Sequence, residues 1–346
     1  MILCIGCREK PPLPPQLDEL TFDTSYVQIF PSFGGFTEPE DVAIGNDQLL
    51  YVADTKANRV VMLNRAGQIL SAKNMLQPLS IAQDSRLDLL VGGLIIATNG
   101  DTVGAIFRIH LVSSSSDSAH RLDVARIDTV WRELARPARR FPSITIFGDN
   151  TYLAVRTGPE NVSFIDPDDR VLQFDRNDNF ITPVPALTSR NGSGITDISS
   201  PTGIASFPGV RDFVLCQHNE NSPNYGALWL RYESTPDFEG WLPRFDPSEP
   251  GENSDFVRLG RSLYQRPEAV AIDPARRDVF IADAGRDSVF KFNNRGVFKS
   301  ESFGSAKSGG VMRKPTGLAF FERVLYVLDG ETGHINRFRL TTDIPR

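Results

Sequence analysis

The sequence predicts an all-β protein, a six-bladed β-propeller closed by an N-terminal strand, on three observations. Residues 266–296, "RPEAVAIDPARRDVFIADAGRDSVFKFNNRG", hold three short apolar runs, each ended by turn residues, and the same pattern returns at 38–70 and 314–340. Degenerate copies begin at Gln77, Phe141 and Ser200, so that Pro39, Pro78, Pro142, Pro201, Pro267 and Pro315 mark six units. The last unit lacks a clear fourth run, whereas an orphan run, "TSYVQIFPSFGG", stands at 24–35 ahead of the first.

Each unit offers three or four runs of about five residues, rich in Val, Ile, Leu, Phe and Tyr and separated by Gly, Asn and Asp, the pattern of consecutive antiparallel hairpins. A small twisted sheet cannot bury both faces alone. Repeated, it packs face to face with its neighbours around an axis. An open ring would leave a naked edge strand, so Tyr26 to Phe30 is expected to pair with the C-terminal unit, which makes residues 20–346 one domain. The longer insertions at 112–140 and 234–263 fall between units. In the first, Val124, Ile127, Val130, Trp131 and Leu134 are spaced as on a helix and predict a short one over 124–135.

The chain has 346 residues, 40 % of them hydrophobic, enough for a large core. Its 37 Lys and Arg are scattered among 43 acids for a net charge of −6, which argues against a nucleic-acid surface. Cys4, Cys7 and Cys216 cannot form a disulfide framework, and Cys216, in the apolar run "DFVLCQ", reads as a buried inert thiol. No elbow of the G-x-S-x-G kind, phosphate loop or H-E-x-x-H stretch is present. Nor does any run of apolar residues reach the length of a membrane span.

The start, "MILCIGCREKPPLPPQLDEL", resembles the end of a bacterial lipoprotein signal, in which a small residue precedes the cysteine that is cleaved and acylated, here Cys7. It departs from that pattern in its shortness and in Cys4, which stands where Leu is usual. Residues 1–19 are thus expected to be a truncated lipoprotein-like signal and a Pro-rich tether, and the protein to sit in a bacterial cell envelope, lipid-anchored or periplasmic.

The stretches "PEDVAIG…LYVADTKANRVVMLNRAG", "PEAVAID…VFIADAGRDSVFKFNNRG" and "KPTGLAF…LYVLDGETGHINRF" resemble NHL repeats, and the chain resembles six-bladed NHL-type propeller lipoproteins. The resemblance implies that Asp54, Asp283 and Asp329 end the second strand of their blades, on the face that also carries Glu40, Asp41 and Glu268. Asn99, Arg156 and Gln217 are expected near the matching place in the degenerate units. A carboxylate repeated with the blade reads first as a cap on turn amides.

The leading expectation is a non-catalytic binding or scaffold protein without a cofactor. It would recognise a peptide, protein or glycan through loops carrying Glu40, Asp54, Asn99, Arg156, His218, Glu268, Asp283 and Asp329, and it would bind no nucleic acid. The alternative is a metal-dependent hydrolase or lyase resembling gluconolactonases, with Ca²⁺ or Mg²⁺ on inner oxygen ligands. A histidine-bound zinc, as in the peptide-amidating lyases, would draw on His110, His120, His218 and His334, of which His218 and His334 lie on the expected face.

Overall fold

The apolar runs form strands because β-branched and aromatic side chains suit a pleated surface packed on both faces. A computed structural model describes residues 24–112, 120–161, 163, 165–184, 198–218, 226–246, 251–258, 263–304 and 310–344. The signal-like segment and tether, with Cys4 and Cys7, lie outside the described residues.

Strand β1 (Tyr26–Gly34) leads into blade 1, made of β2 (Asp41–Ile44), β3 (Leu50–Asp54), β4 (Arg59–Leu63) and β5 (Ile69–Asn74). Blade 2 holds β6 (Ser80–Gln83), β7 (Leu89–Ile96), β8 (Thr102–His110) and β9 (Arg126–Arg132). Blade 3 holds β10 (Arg140–Ile146), β11 (Tyr152–Thr157), β12 (Arg170–Phe174) and β13 (Phe180–Pro183). In blade 4 follow β14 (Pro201–Ser206), β15 (Phe213–Gln217), β16 (Ala227–Thr235) and β17 (Phe238–Pro243), then a short helix, α1 (Asp255–Arg258). Blade 5 comprises β18 (Pro267–Ile272), β19 (Val279–Asp283), β20 (Ser288–Phe292) and β21 (Phe303–Gly304). Blade 6 comprises β22 (Pro315–Phe321), β23 (Val324–Asp329) and β24 (His334–Leu340), with β1 as its outer strand. These are six antiparallel four-stranded sheets, the architecture the repeats predict.

Each blade is sandwiched between two others, and this explains why second strands such as β3 and β19 are buried along their whole length instead of alternating. The core is divided among the seams. Tyr51, Val60 and Met62 of blade 1 meet Ile81, Leu89 and Val91 of blade 2, and Leu50, Val52 and Val61 meet Val324, Tyr326 and Leu328 of blade 6. Near the axis, short polar side chains tie one inner strand to the next. Ser80 Oγ donates to the Phe141 carbonyl, Thr202 Oγ1 to Pro267, and Thr316 Oγ1 to Pro39, each at 2.7–2.9 Å.

The closing pair runs antiparallel from Tyr26 opposite Leu340 to Ile29 opposite Arg337, as expected. Tyr26 then reaches into blade 5. Its ring stacks on Phe303 at 5.5 Å and meets Phe280 edge-on at 5.7 Å. The buried Lys291 ammonium lies 5.8 Å from the Tyr26 ring and 3.1 Å from the Asp278 carboxylate. Closure therefore joins three segments distant in sequence.

The expected helix over 124–135 is absent. Leu122–Val124 form a 3₁₀ turn, and 126–132 form β9, the outer strand of blade 2. The helical spacing arises from a bulge: Thr129 pairs with Phe107 and Trp131 with Ile106, leaving Val130 as the extra residue. Ile127 packs into the seam with blade 1, whereas Val130 and Trp131 pack into the seam with blade 3. A strand buried on both sides thus mimics a helix stripe.

Replacing Tyr26 by Ala should lower unfolding free energy by about 3 kcal/mol, the cost of deleting a largely buried ring. Urea denaturation measures this, and a change below 1 kcal/mol, about a third of that cost, would show that closure does not depend on the Tyr26 contacts.

Candidate functional site

The inner strands β2, β6, β10, β14, β18 and β22 surround an axial channel of about 300 Å³. Sheet register places Glu40, Leu79, Pro142, Thr202, Glu268 and Thr316 at equivalent positions around one mouth. Two carboxylates thus face one opening.

Partial burial pushes both carboxylates above their usual range, and Glu268 adds to the rise at Glu40. The Lys314 ammonium opposes the rise at both, Arg266 bonds Glu268 at 2.5 Å, and His218 also acts on Glu268. Among the described residues, the Glu40 carboxylate and the Lys314 ammonium make no hydrogen bond or ion pair, and they act on each other through space.

One step inward stands Asp41. Its Oδ1 accepts from the Val42 amide at 2.8 Å, and its Oδ2 accepts from Ile81 of the next blade at 2.9 Å. Loss of solvation raises its pKa to about 7, against the pull of those two amides. This seam therefore uses an ionisable group where its neighbours use hydroxyls.

The repeated second-strand acids are placed differently. Asp54, Asp283 and Asp329 are fully buried. Asp283 accepts from the amides of Gln265, Arg266, Gly285 and Arg286 at 2.6–3.1 Å. Asp329 accepts from Arg313, Glu331 and Thr332 at 2.6–3.0 Å. Asp54 takes the Thr37 amide and the Arg59 guanidinium, each at 2.7 Å. Each acid clamps the loop that enters its own inner strand, and the carboxylates do not line the channel.

In the degenerate blades the clamp is rebuilt. Gln217 receives the Ser199 amide at 3.0 Å through Oε1. Arg156, only 3 % exposed, inverts the charge and binds Glu133 at 3.2 Å, Asp166 at 2.6 Å and the Asp168 carbonyl at 3.1 Å. Beside it the buried Arg139 pairs with Glu133 and Asp168 at 3.0 and 2.8 Å. Asn99 does not occupy the matching position. It lies exposed at the tip of the β7–β8 hairpin, bonded to Asp101. Register puts Gly93 there, since Ser80 pairs with Gly92 as Asp41 pairs with Ala53. A Cβ on Gly93 would stand 3.3 Å from the Leu76 carbonyl, which accepts directly from the Leu94 amide at 3.0 Å. Backbone replaces side chain.

The histidines are dispersed. His110 lies between Asp88 and Asp128, His120 against Asp47, and His334 against the Thr332 carbonyl. Of the candidates, Glu40, Glu268 and His218 come together at the mouth; the others do not join them. Asp41, another channel-lining carboxylate, and Lys314 were missed as binding groups. Lys314 had a legible signal in its place directly before a marker proline, on the loop that enters an inner strand.

Residues 36–62 match the NHL repeat family, so the chain carries an NHL repeat in a six-bladed propeller. No curated protein matches the sequence. Similar solved structures include a PQQ-bound aldose sugar dehydrogenase from Streptomyces coelicolor, at 12 % identity and a TM-score of 0.61, covering 92 % of this chain and 98 % of that one. A gluconolactonase from Xanthomonas campestris is 13 % identical with a TM-score of 0.58, covering 92 % and 90 %. A luciferin-regenerating enzyme is 12 % identical with a TM-score of 0.60, covering 91 % and 95 %. Identities so low concern the fold alone.

Two predictions follow from the clamps and the seam. Replacing Asp283 by Ala strands four loop amides and should cost about 3 kcal/mol in denaturant unfolding, against under 0.5 kcal/mol for the exposed Asn99→Ala. Asp41 ionises in the unfolded chain near its ordinary value but in the folded one near 7, so its contribution to stability is present at acid pH and is lost as pH rises to about 7. Asp41→Asn should therefore gain about 2–4 °C in melting temperature relative to the parent between roughly pH 4 and pH 8. An unchanged difference across that range would show that Asp41 titrates normally.

Proposed function

We propose that this chain is a non-catalytic binding module that takes a positively charged group of a peptide or protein at the mouth of its axial channel. In this reading a lipid on Cys7 holds it in a bacterial cell envelope. The observation that carries the binding reading is the pair Glu40 and Glu268, two carboxylates lining one opening of the channel, both penalised by burial and Glu40 also by its neighbour. A ligand ammonium between them would relieve both penalties, with His218 at the edge. Rigid blades hold the groups in place, so little ordering accompanies binding.

The alternative, a gluconolactonase-like hydrolase or lyase using Ca²⁺ or Mg²⁺, needs a convergent set of oxygen ligands. Among the described residues no group of three or more His, Cys, Asp or Glu side chains has that geometry. At the mouth Glu268 is engaged by Arg266, and both Asp41 oxygens are engaged by amides. To ligate an ion, Glu268 and Asp41 would have to give up these partners.

The probe for the first reading is the tetrapeptide amide Leu-Lys-Gly-Ser, followed by calorimetry at about pH 7, where its two amino groups are largely protonated. Replacing Glu40 and Glu268 together by Gln should weaken binding at least about ten-fold. Affinity unchanged in that variant, or no binding by the parent protein, would overturn the reading. Metal retained stoichiometrically after dialysis would favour the alternative.

A further inference from the structure

The channel behind the mouth has a shape and polarity that say which positive group it takes. Past the carboxylates its waist is ringed by Ala43, Ala82, Thr145, Ala205, Ala271 and Ala319, five alanines and a threonine. The ring is hollow because these inner-strand positions carry almost no side chain. Further in, Ile44, Ile146, Ile272 and Phe320 line the wall. Charge stands at one end, and most side chains beyond it are apolar, with Gln83, Ser143 and Thr145 the polar ones.

Resting on the peptide-binding reading above, we infer that the site captures a peptide's free amino end when its first residue is apolar. The α-ammonium sits between Glu40 and Glu268, the first carbonyl oxygen turns to Lys314, and the side chain descends into the alanine waist.

The placement of charge along the ligand decides this. A lysine side chain entering the mouth carries its ammonium at the tip, so a deeply inserted lysine would lose the carboxylates and bury its charge among apolar walls, at high cost. A lysine held at the rim would leave the channel unfilled. An amino-terminal residue carries its ammonium at the base of the side chain, so the charge remains at the rim while the apolar part fills the hollow. Lys314 agrees, because an ammonium acting on both carboxylates repels a ligand that is only cationic but can donate to a carbonyl oxygen one bond from the α-carbon. Capture of an amino end is a known mode of peptide recognition. The channel, about 300 Å³, is at the small end of ligand sites and suits one residue rather than a folded segment.

The test is calorimetric titration of the intact protein with four tetrapeptide amides: Leu-Gly-Gly-Ser, Gly-Gly-Gly-Ser, acetylated Leu-Gly-Gly-Ser and acetylated Gly-Lys-Gly-Ser. The free Leu-first peptide should bind at least about ten-fold more tightly than each of the other three. Ala271→Leu, which fills the waist, should cost the Leu-first peptide about ten-fold while changing the Gly-first peptide less than about three-fold. If that variant does not fold, the four peptides on the parent protein decide. Equal affinity for the free and acetylated Leu peptides, or for the Leu-first and Gly-first peptides, overturns the inference. Tighter binding of the acetylated lysine peptide also overturns it but leaves the broader peptide-binding reading standing. Binding of none of the four, nor of Leu-Lys-Gly-Ser, removes both.

Discussion

Ring closure is the constraint on which the rest of this structure depends. A four-stranded blade has two broad faces and two edges, and it is stable here because each face is covered by a neighbour. The last face can be covered only if the sixth blade meets the first, and that blade is completed by β1 from the other end of the chain. Side chains strengthen the backbone ladder: Tyr26 and Lys291 bind the closing strand to blade 5, and Thr316 ties blade 6 to the Pro39 carbonyl of blade 1. With the ring shut, inner strands from six distant stretches are held around one axis, and Glu40 comes to face Glu268.

The loop clamps show how one mechanical task is met by different chemistry. Asp54, Asp283 and Asp329 accept loop amides directly. Gln217 keeps the acceptor without the charge, Gly93 hands the task to the backbone, and Arg156 reverses the charge and is balanced by Glu133 and Asp166. An unpaired guanidinium at so buried a position would be costly. Blade 3 therefore needs acids at 133 and 166 that the regular blades do not have.

The six units and the closing pair were legible because turn residues recur, marker prolines stand at or one residue before the same inner-strand position, and one run at the amino end was left over. The 3₁₀ turn and strand at 122–132 were not, since a bulge and burial on two sides give apolar residues a helical spacing. Asn99 was misassigned for a related reason. Strand β7 continues past Gly93, so the polar residue that looks like the end of the run belongs to the next turn. At the mouth, Glu40 and Glu268 were legible from their shared place after a proline, but their convergence was not, because it depends on blades 1 and 5 lying on either side of blade 6. The alanine waist was written plainly in the repeated Val-Ala-Ile triplets; only the axis gives those alanines a meaning.

A chain held by its amino end meets any pull first at β1, whose ladder with β24 runs from Tyr26 to Gly34. Tension would reach that one sheet before any other, since the other blades are each built from consecutive strands. The join that completes the disc is thus also where such a load enters it, and the channel on the axis would open if the join parted.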